Sequence, residues 1–364
     1  MPETAAPRIL ADDLTGALDS AAAFATPERP LDICWRPQGP LPAAGAVDAA
    51  TREGSAQAAA ARHRALAGWL AEGRPAFKKI DSLMRGHWAV EVAALAAACP
   101  DHRLIVAPAF PFQGRVTRDG CQWHADSLEP LGPPIAQALA EAGLAPARIS
   151  VGNAGTDADL DTVVARASRA DGRPVLWIGT GGLAAALARA GGFGEAHAGD
   201  KPTRTDPPGP LLALIGSHHP VTFDQIARAE TADPGCHLRL GHDGQAVDAV
   251  RARLERRQAA IVTVDVTGDR AHAAQVIAER FARLLENIPR PGCLFVAGGE
   301  TLRDVAAATG AEGLAVTGAL EPGLPRSRLR GGRFDGLPVI SKSGAFGRPD
   351  LLVRLAAAVR HDRR

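Results

Sequence analysis

The stretch that decides the fold is "AFKKIDSLMRGHWAVEVAALAAAC", residues 76–99. A short apolar segment leads through a charged segment, 81–87, into an alanine-rich helical pattern. The same order recurs where "RIL" precedes "TGALDSAAAFA", where "PVLWIG" precedes "GGLAAALARA", and again after "LLALIG" and "GCLFVAGG". Apolar runs that alternate with helices are typical of parallel α/β sheets covered by helices on both faces.

At 364 residues the chain is long for one compact domain. The Gly- and Pro-rich stretch 191–210 has no hydrophobic periodicity and predicts a linker. We therefore expect an N-terminal domain over 1–190 and a C-terminal domain over 211–364. Both would be α/β domains with mainly parallel sheets, and the active site would lie in a cleft between them.

The composition is that of a soluble enzyme, with 22% charged and 46% hydrophobic residues. A net charge of +1 gives no basic field for nucleic acid or a membrane surface. No signal peptide or long apolar span is evident, which predicts a cytoplasmic protein. Five cysteines are scattered, and a lone Cys-x-x-His at Cys121 and His124 is too little for a zinc site. No protein-bound metal site is predicted.

Lysine is rare in this chain, since only four of the 41 basic residues are lysines. They are Lys78, Lys79, Lys201 and Lys342. A sequence this rich in arginine could retain lysine where a compact ammonium is required, as in phosphate contacts. Chance is the alternative explanation.

Polar residues follow the predicted strands of the N-terminal half, where open α/β sheets bind their ligands. Asp12 and Asp13 leave the first strand, and adjacent carboxylates can bind hydroxyls, accept a proton or hold Mg²⁺. The structural alternative is helix capping by Asp13 or Thr15. Capping would account for only one of the two aspartates, which leaves the other carboxylate available for a functional role.

Two further loops of this half carry cations. Asp81 and Ser82 follow the strand at 76–80, and Arg85 stands at the entrance of the next helix. A guanidinium beside free helix N–H groups suits a substrate carboxylate, although a surface ion pair would also explain it. Arg115, in the rigid Pro- and Gly-containing loop 107–120, is a further candidate, together with Gln113.

The C-terminal half contains glycine-bearing loops after its strands. Paired glycines let backbone N–H groups approach phosphate oxygens at a helix N-terminus, which favours nucleotide binding. The Walker pattern and G-x-G-x-x-G are both absent from the sequence. Thr222 and Gln225 have the spacing of a capping box. The candidate residues of these loops are Ser217, Gly298, Gly299, Glu300, Thr301, Lys342 and Gly344.

Eight short motifs occur in the order found in the four-carbon acid sugar kinases. They are "ADDLTGALD", "KKIDSLMRG", "APAFPFQGR", "IGTGGLAAALA", "IGSHHPVTFDQI", "GGETLRDV", "EPGLP" and "SKSGAFG". The chain closely resembles this family, nearly from end to end. The resemblance implies an ATP- and Mg²⁺-dependent kinase that phosphorylates the terminal hydroxyl of threonate, erythronate or an oxo-tetronate.

The resemblance also implies a separate binding site in each half of the chain. It implies an acid site in the N-terminal domain, with Asp12 or Asp13 orienting or deprotonating the hydroxyl and Arg85 holding the carboxylate. An ATP site in the C-terminal domain would be lined by the glycine loops, with a contribution from Lys342. The acid site would comprise Asp12, Asp13, Asp81, Ser82, Arg85 and Arg115.

Two departures from the family pattern concern the acid site. Leu83 replaces a hydroxyl-bearing residue, and Phe112 stands where the family commonly has Glu. Losing such polar contacts predicts a changed acid specificity. It also leaves a second reading, a non-catalytic sugar-acid or nucleotide sensor with the kinase fold. A third class, a dinucleotide-dependent dehydrogenase with the same α/β architecture, is disfavoured because the sequence lacks the G-x-G-x-x-G fingerprint. The sequence leaves open whether the chain forms a homodimer.

Overall fold

The structure is a computed structural model that describes residues 6–35, 41–169, 172–193, 209–241, 245–266 and 268–361. The chain divides into two compact units, residues 1–195 and 196–364. Most of the predicted linker, namely 194–208, lies outside the described residues. The α/β class with mainly parallel sheets is confirmed, and the cleft between the domains stays a prediction.

The first unit has a seven-stranded parallel sheet in the order β2-β3-β1-β4-β9-β5-β8, with a separate β6–β7 hairpin. Its strands are β1 (Arg8–Ala11), β2 (Leu31–Cys34), β3 (Gly45–Asp48), β4 (Ala76–Lys79), β5 (Arg103–Ala107), β6 (Arg115–Arg118), β7 (Cys121–His124), β8 (Ile149–Val151) and β9 (Val175–Gly179). Its helices are α1 (Leu14–Ala22), α2 (Ala56–Ala71), α3 (Trp88–Ala98), α4 (Ile135–Glu141), α5 (Asp157–Ser168) and α6 (Gly181–Ala190).

Of the six helices given above, α1, α2, α5 and α6 begin with a side-chain cap, whereas α3 and α4 do not. The side chains of Asp13, Ser55 and Thr180 accept a backbone N–H in the first turns of α1, α2 and α6, and Thr156 with Asp159 forms a capping box on α5. Buried residues of β1, β4, β9, α2 and α3 share one apolar cluster. Helices α2 and α3 therefore cover one face of the sheet.

The second unit has five parallel strands, in the order β11-β12-β10-β13-β16, extended antiparallel by β15 and β14. Its strands are β10 (Leu211–Ile215), β11 (His237–Leu240), β12 (Ala260–Val264), β13 (Cys293–Ala297), β14 (Gly313–Ala319), β15 (Pro325–Arg330) and β16 (Pro338–Lys342). Its helices are α7 (Pro220–Ala232), α8 (Gln245–Glu255), α9 (Arg270–Asn287), α10 (Gly299–Ala308) and α11 (Leu351–His361).

Candidate functional site

The loops after β1, β3 and β4 lie side by side at the carboxyl edge of the first sheet. β1 pairs in parallel with β3 on one side and β4 on the other, with Ala11 opposite both Asp48 and Lys79. The carboxyl ends of neighbouring parallel strands meet at one edge, where ligands bind in open α/β sheets. This register brings the 12–13 and 81–85 loops together, as the sequence predicted.

Arg52 joins the three loops and was missed in the sequence. Its Nε and Nη2 donate to the two carboxylate oxygens of Asp12 at 2.8 and 2.9 Å, and its Nη1 donates to Asp13 at 2.5 Å. Nη2 also lies 3.7 Å from Asp81 Oδ1. These three carboxylates are the main charges that raise the pKa of Arg52, against burial that lowers it. One guanidinium thus organises the three predicted carboxylates.

The two adjacent aspartates have different environments. Asp12 is 1% exposed. Burial alone would raise its pKa, but the charges of Lys78 and Arg52 outweigh burial and hold the pKa below its usual value. The Asp13 side chain is 22% exposed, and its oxygens accept from Gly16 N at 2.8 Å and Thr15 Oγ1 at 2.6 Å. The capping alternative is correct for Asp13, which nevertheless also contacts Arg52.

Arg85 is paired with Asp81 in this structure. Its Nε and Nη2 donate to the two oxygens of Asp81, both at 2.8 Å. Burial would raise the pKa of Asp81, but the Arg85 hydrogen bond and the charge of Arg52 lower it overall. The ion-pair alternative therefore describes the geometry of Arg85. The Arg85 side chain remains 62% exposed, so it still faces outward from the cluster.

Ser82 and Arg115, the other predicted residues of this half, lie near the Arg85–Asp81 ion pair. The backbone oxygen of Ser82 accepts from the buried Gln122 amide at 3.3 Å. The Arg115 guanidinium donates to Gln113 O at 2.5 Å. Burial lowers the pKa of Arg115, while the charges of Asp81 and Arg85 act on it in opposite directions. Phe112 is 58% exposed beside this segment, on the short 3-10 turn Pro111–Gln113.

The consecutive lysines of β4 lie on opposite faces of the sheet. Lys78 is fully buried, with Nζ 2.8 Å from Glu91 Oε2 on α3. Lys79 points towards α1, where Nζ lies 3.1 Å from the position that a Cβ on Gly16 would occupy. Its one hydrogen bond is to Ile80 O at 2.9 Å, and among the described residues no carboxylate lies within 4.0 Å. The sequence drew attention to both residues only through the scarcity of lysine in this chain.

In the second unit, three glycine-bearing loops converge. A Cβ on Gly216 would lie 1.9 Å from Thr301 Oγ1, and one on Gly344 would lie 2.2 Å from Ser217 Oγ. Gly298 N also donates to Lys342 O at 3.0 Å. The loops after β10, β13 and β16 therefore approach one another too closely to allow side chains at these glycines.

Helix α10 begins at this convergence without a side-chain cap. Gly298 is its N-cap, with φ 118° and ψ 132°, and it makes no side-chain capping hydrogen bond. Gly299, Glu300 and Thr301 form that turn. The first N–H groups of a helix have no intrahelical partner, and with the helix dipole they form an anion site.

Lys342 has a structural position that the sequence did not predict. Its side chain is buried, and Nζ donates to Thr222 Oγ1 at 2.9 Å, Phe346 O at 3.0 Å and Gly344 O at 3.1 Å. Burial lowers the pKa of Lys342 to about 8. Lys342 therefore holds the 344–346 loop in place, and its ammonium is enclosed by protein oxygens.

The predicted capping box at Thr222 and Gln225 is wrong. The N-cap of α7 is His219, whose Nδ1 accepts from Val221 N at 3.2 Å. Thr222 donates to Gly344 O at 2.9 Å, and the Gln225 amide donates to three carbonyls of residues 346–348. Both side chains are buried, so the tertiary contact with the 344–348 loop replaces the local one.

The part of the chain that the structure describes has no group of three His, Cys, Asp or Glu side chains arranged to hold a metal. None of its helices combines the length and apolarity needed to cross a bilayer.

The fold and its two loop clusters define a two-unit α/β protein, and comparison with known proteins assigns its family. Residues 8–134 match the model of a sugar-binding N-terminal domain, and residues 212–352 match that of a nucleotide-binding C-terminal domain. The D-threonate kinase of Bordetella bronchiseptica is 30% identical, covering 98% of each chain. That of Cupriavidus necator is 31% identical, covering 93% of this chain and 94% of the other. The chain belongs to the four-carbon acid sugar kinase family.

Solved structures share the fold. A Salmonella typhimurium protein described as a putative tRNA synthase has a TM-score of 0.69 at 21% identity, covering 95% of this chain and 98% of the other. A Haemophilus influenzae protein has a TM-score of 0.64 at 19% identity, covering 97% and 99%. At these identities the likeness concerns the fold alone.

Proposed function

We propose that this protein is an ATP-dependent kinase that phosphorylates the terminal hydroxyl of a four-carbon sugar acid such as threonate, erythronate or an oxo-tetronate. The observation that carries the proposal is the Arg52-centred carboxylate cluster in the unit matched by the sugar-binding model. It is supported by the converging glycine loops, and by the glycine N-cap of α10, in the unit matched by the nucleotide-binding model. Relatives named D-threonate kinase cover nearly the whole chain.

The cations of the first cluster suit an anionic substrate. Arg52, Lys79, Arg85 and Arg115 lie with Asp12, Asp13 and Asp81 at the carboxyl edge of the sheet, where they can contact the carboxylate of a sugar acid. Arg85 and Arg115 are the proposed carboxylate contacts, because guanidinium groups bind carboxylates through paired hydrogen bonds. Ser82 supplies a further polar contact in the same loop.

Asp13 is the proposed acceptor of the hydroxyl proton. Both oxygens of the buried Asp12 are bound by Arg52, whereas Asp13 is partly exposed. The ionised Asp12 then fixes Arg52, which holds Asp13 in position. Such positioning is a major part of catalysis in phosphoryl transfer.

The loops of the second unit suit a nucleoside triphosphate. Glycine at 216, 298 and 344 lets the three loops pack closely against one another at the start of α10. Ser217 and Thr301 supply hydroxyls in the same loops, and Gly299 opens α10. ATP supplies the phosphoryl group when it is bound. Mg²⁺ needs one or two carboxylates besides the phosphates, and Glu300 in the first turn of α10 is the proposed ligand.

The test is ATP turnover by the purified protein, with Mg²⁺ and a panel of acids. The panel contains both enantiomers of threonate and erythronate, and 2- and 3-oxo-tetronates. Turnover with one acid supports the kinase, and the order of preference shows the effect of Leu83 and Phe112. Binding of ATP and an acid without turnover, across a panel widened to deoxy and longer acids, would favour the sensor.

Asp13→Asn and Asp12→Asn separate the two aspartates. Asparagine caps helices as well as aspartate does, so Asp13→Asn should preserve stability and lower kcat by roughly 100-fold or more. Asp12→Asn should raise the KM for the acid as well, because it removes one carboxylate partner of Arg52. Steady-state kinetics with the preferred acid measure both. Equal and mild losses in kcat would contradict the assignment of Asp13.

A further inference from the structure

A second charged cluster lies beneath Arg52 and does not face the surface. Glu91 on α3 is 0% exposed, and it contacts Lys78 Nζ at 2.8 Å, His63 Nε2 at 3.6 Å and the Thr51 hydroxyl at 2.5 Å. Thr51 is the residue immediately before Arg52. We infer that Glu91, held by Lys78, is a positioning residue that fixes Arg52 through Thr51. This inference rests on the proposed function.

The segment that carries Arg52 is bound on both sides. The Thr51 hydroxyl donates to Glu91 Oε1, and the backbone N–H groups of Thr51 and Arg52 donate to Asp12 O at 3.0 and 3.3 Å. The preceding Ala50 has φ 53°, a left-handed conformation that is unfavourable for alanine. Such a backbone persists where its surroundings determine it, and Thr51 is the link to the buried cluster.

The cluster is neutral as a unit. Burial and the charge of Lys78 lower the pKa of His63 to about 3, so the imidazole is uncharged at neutral pH. Burial would raise the pKa of Glu91, but the charge of Lys78 and the neighbouring donors lower it, so Glu91 is ionised. One cation and one anion therefore face each other in a site lined by α2 and α3.

Stability alone does not explain this pair. Helices α2 and α3, which carry His63 and Glu91, also place Leu66, Val92 and Leu95 in an apolar core. Removing two charges from water is costly, and apolar residues of similar volume often replace a buried ion pair with no loss of stability. An ionised Glu91 does have one use that an apolar side chain lacks, because it accepts the Thr51 hydroxyl.

The experiment compares Thr51→Val, Thr51→Ser and the double variant Lys78→Met/Glu91→Leu with wild type. Thr51→Val keeps the shape but removes the donor, and Thr51→Ser restores it. Thr51→Val should lower kcat/KM for the acid by roughly 10- to 100-fold, with a KM for ATP within about twofold of wild type. Thr51→Ser should remain within about threefold of wild type.

The double variant distinguishes an effect of the ion pair on the position of Arg52 from an effect on the stability of the fold. Its midpoint of guanidinium unfolding should equal or exceed that of wild type, while kcat/KM for the acid falls as in Thr51→Val. Wild-type kinetics in either Thr51→Val or the double variant would overturn the inference. If the double variant does not fold, the two Thr51 variants decide the question.

Failure of the proposed kinase function can be distinguished from failure of this inference. If wild type phosphorylates no acid in the panel, the kinase proposal fails, whatever the variants do. A crystal structure of Thr51→Val then tests the positioning directly. The inference expects Arg52 to leave Asp12 and Asp13 in that variant, and an unchanged Arg52 would overturn it.

Discussion

At the scale of single residues, the chemistry of the first unit depends on arginine geometry. Arg52 binds Asp12 through two parallel hydrogen bonds and reaches Asp13 with its third nitrogen. A lysine could supply the charge, but not three donors fixed in one plane. The rarity of lysine in this chain therefore gives particular meaning to the buried ones, since each is placed where a compact ammonium fits.

Lys342 is the residue whose loss should disturb the glycine loops most. Lys342→Met leaves three buried oxygens without their shared donor, which should destabilise the protein by about 2–4 kcal/mol. The loop at 344–346 should loosen at the same time and raise the KM for ATP. Guanidinium unfolding and steady-state kinetics measure the two effects.

Thr222→Val is the graded control for Lys342, because it removes only one of the three oxygens. Its loss of stability should be the smaller of the two. A Lys342→Met protein within about 0.5 kcal/mol of wild type would contradict the structural role, since that is the range of ordinary surface substitutions.

At the scale of elements, helix α10 has glycines at both ends, with different consequences. Gly298 at the N-terminus has φ 118°, and an added Cβ would lie 3.0 Å from Thr301 Oγ1. Gly310, just after the C-terminus, has φ 71° with its nearest neighbour at 3.6 Å. Both conformations disfavour a side chain, but only the first lies at the proposed phosphate site.

Gly298→Ala and Gly310→Ala form a matched pair. Each should lose about 1 kcal/mol or more of stability from backbone strain. Gly298→Ala should in addition weaken ATP binding by at least about tenfold, because its Cβ covers the helix N-terminus. Calorimetric titration of ATP distinguishes them. Equal ATP affinities would place the phosphates elsewhere.

Elements with continuous apolar runs were predictable, and short ones were not. β1, β9, β10 and β13 match the apolar segments of the sequence, because strands buried on both faces leave that signal. β3 is only the four residues "GAVD", and without it the loop that carries Arg52 could not be assigned to the sheet edge. The capping-box spacing misled for a related reason, since tertiary contacts of Thr222 and Gln225 override a local pattern.

At the scale of the whole molecule, buried titratable groups link stability to pH. His63 is fully buried, and its folded pKa of about 3 lies below the usual value of 6.5. The unfolded chain therefore binds a proton near pH 6.5, whereas the folded protein resists protonation until about pH 3. The contribution of His63 is complete above pH 6.5 and is lost progressively as the pH falls towards 3.

His63→Gln should remove this dependence. Between pH 7.5 and 5.5 the wild-type protein should lose about 1.4 kcal/mol of stability through His63, and the variant should lack that part of the loss. Guanidinium unfolding at the two pH values gives the difference, and any general destabilisation by the substitution cancels in it. Parallel losses in both proteins would show that His63 binds a proton in the folded state.

The α/β class was visible in the alternation of strands and helices, whereas the buried cluster was not. Sequence spacing places Lys78 and Lys79 at a strand end, but it cannot tell that α3 presents Glu91 to one of them. That pairing depends on how α2 and α3 pack over the sheet. Long-range packing of this kind leaves no periodic trace, so the sequence indicated the loops of the proposed acid site but not the buried cluster beside them.

The opposite orientations of Lys78 and Lys79 also bear on how the chain folds. If β4 paired with β1 and β9 one residue out of step, every side chain of the strand would change faces. A shift that put Phe77 in the position of Lys78 would leave Glu91 buried without a cation, whereas the opposite shift would bring Lys79 there. The buried ion pair therefore disfavours one of the two neighbouring alignments of β4, because an unpaired carboxylate in the core is costly.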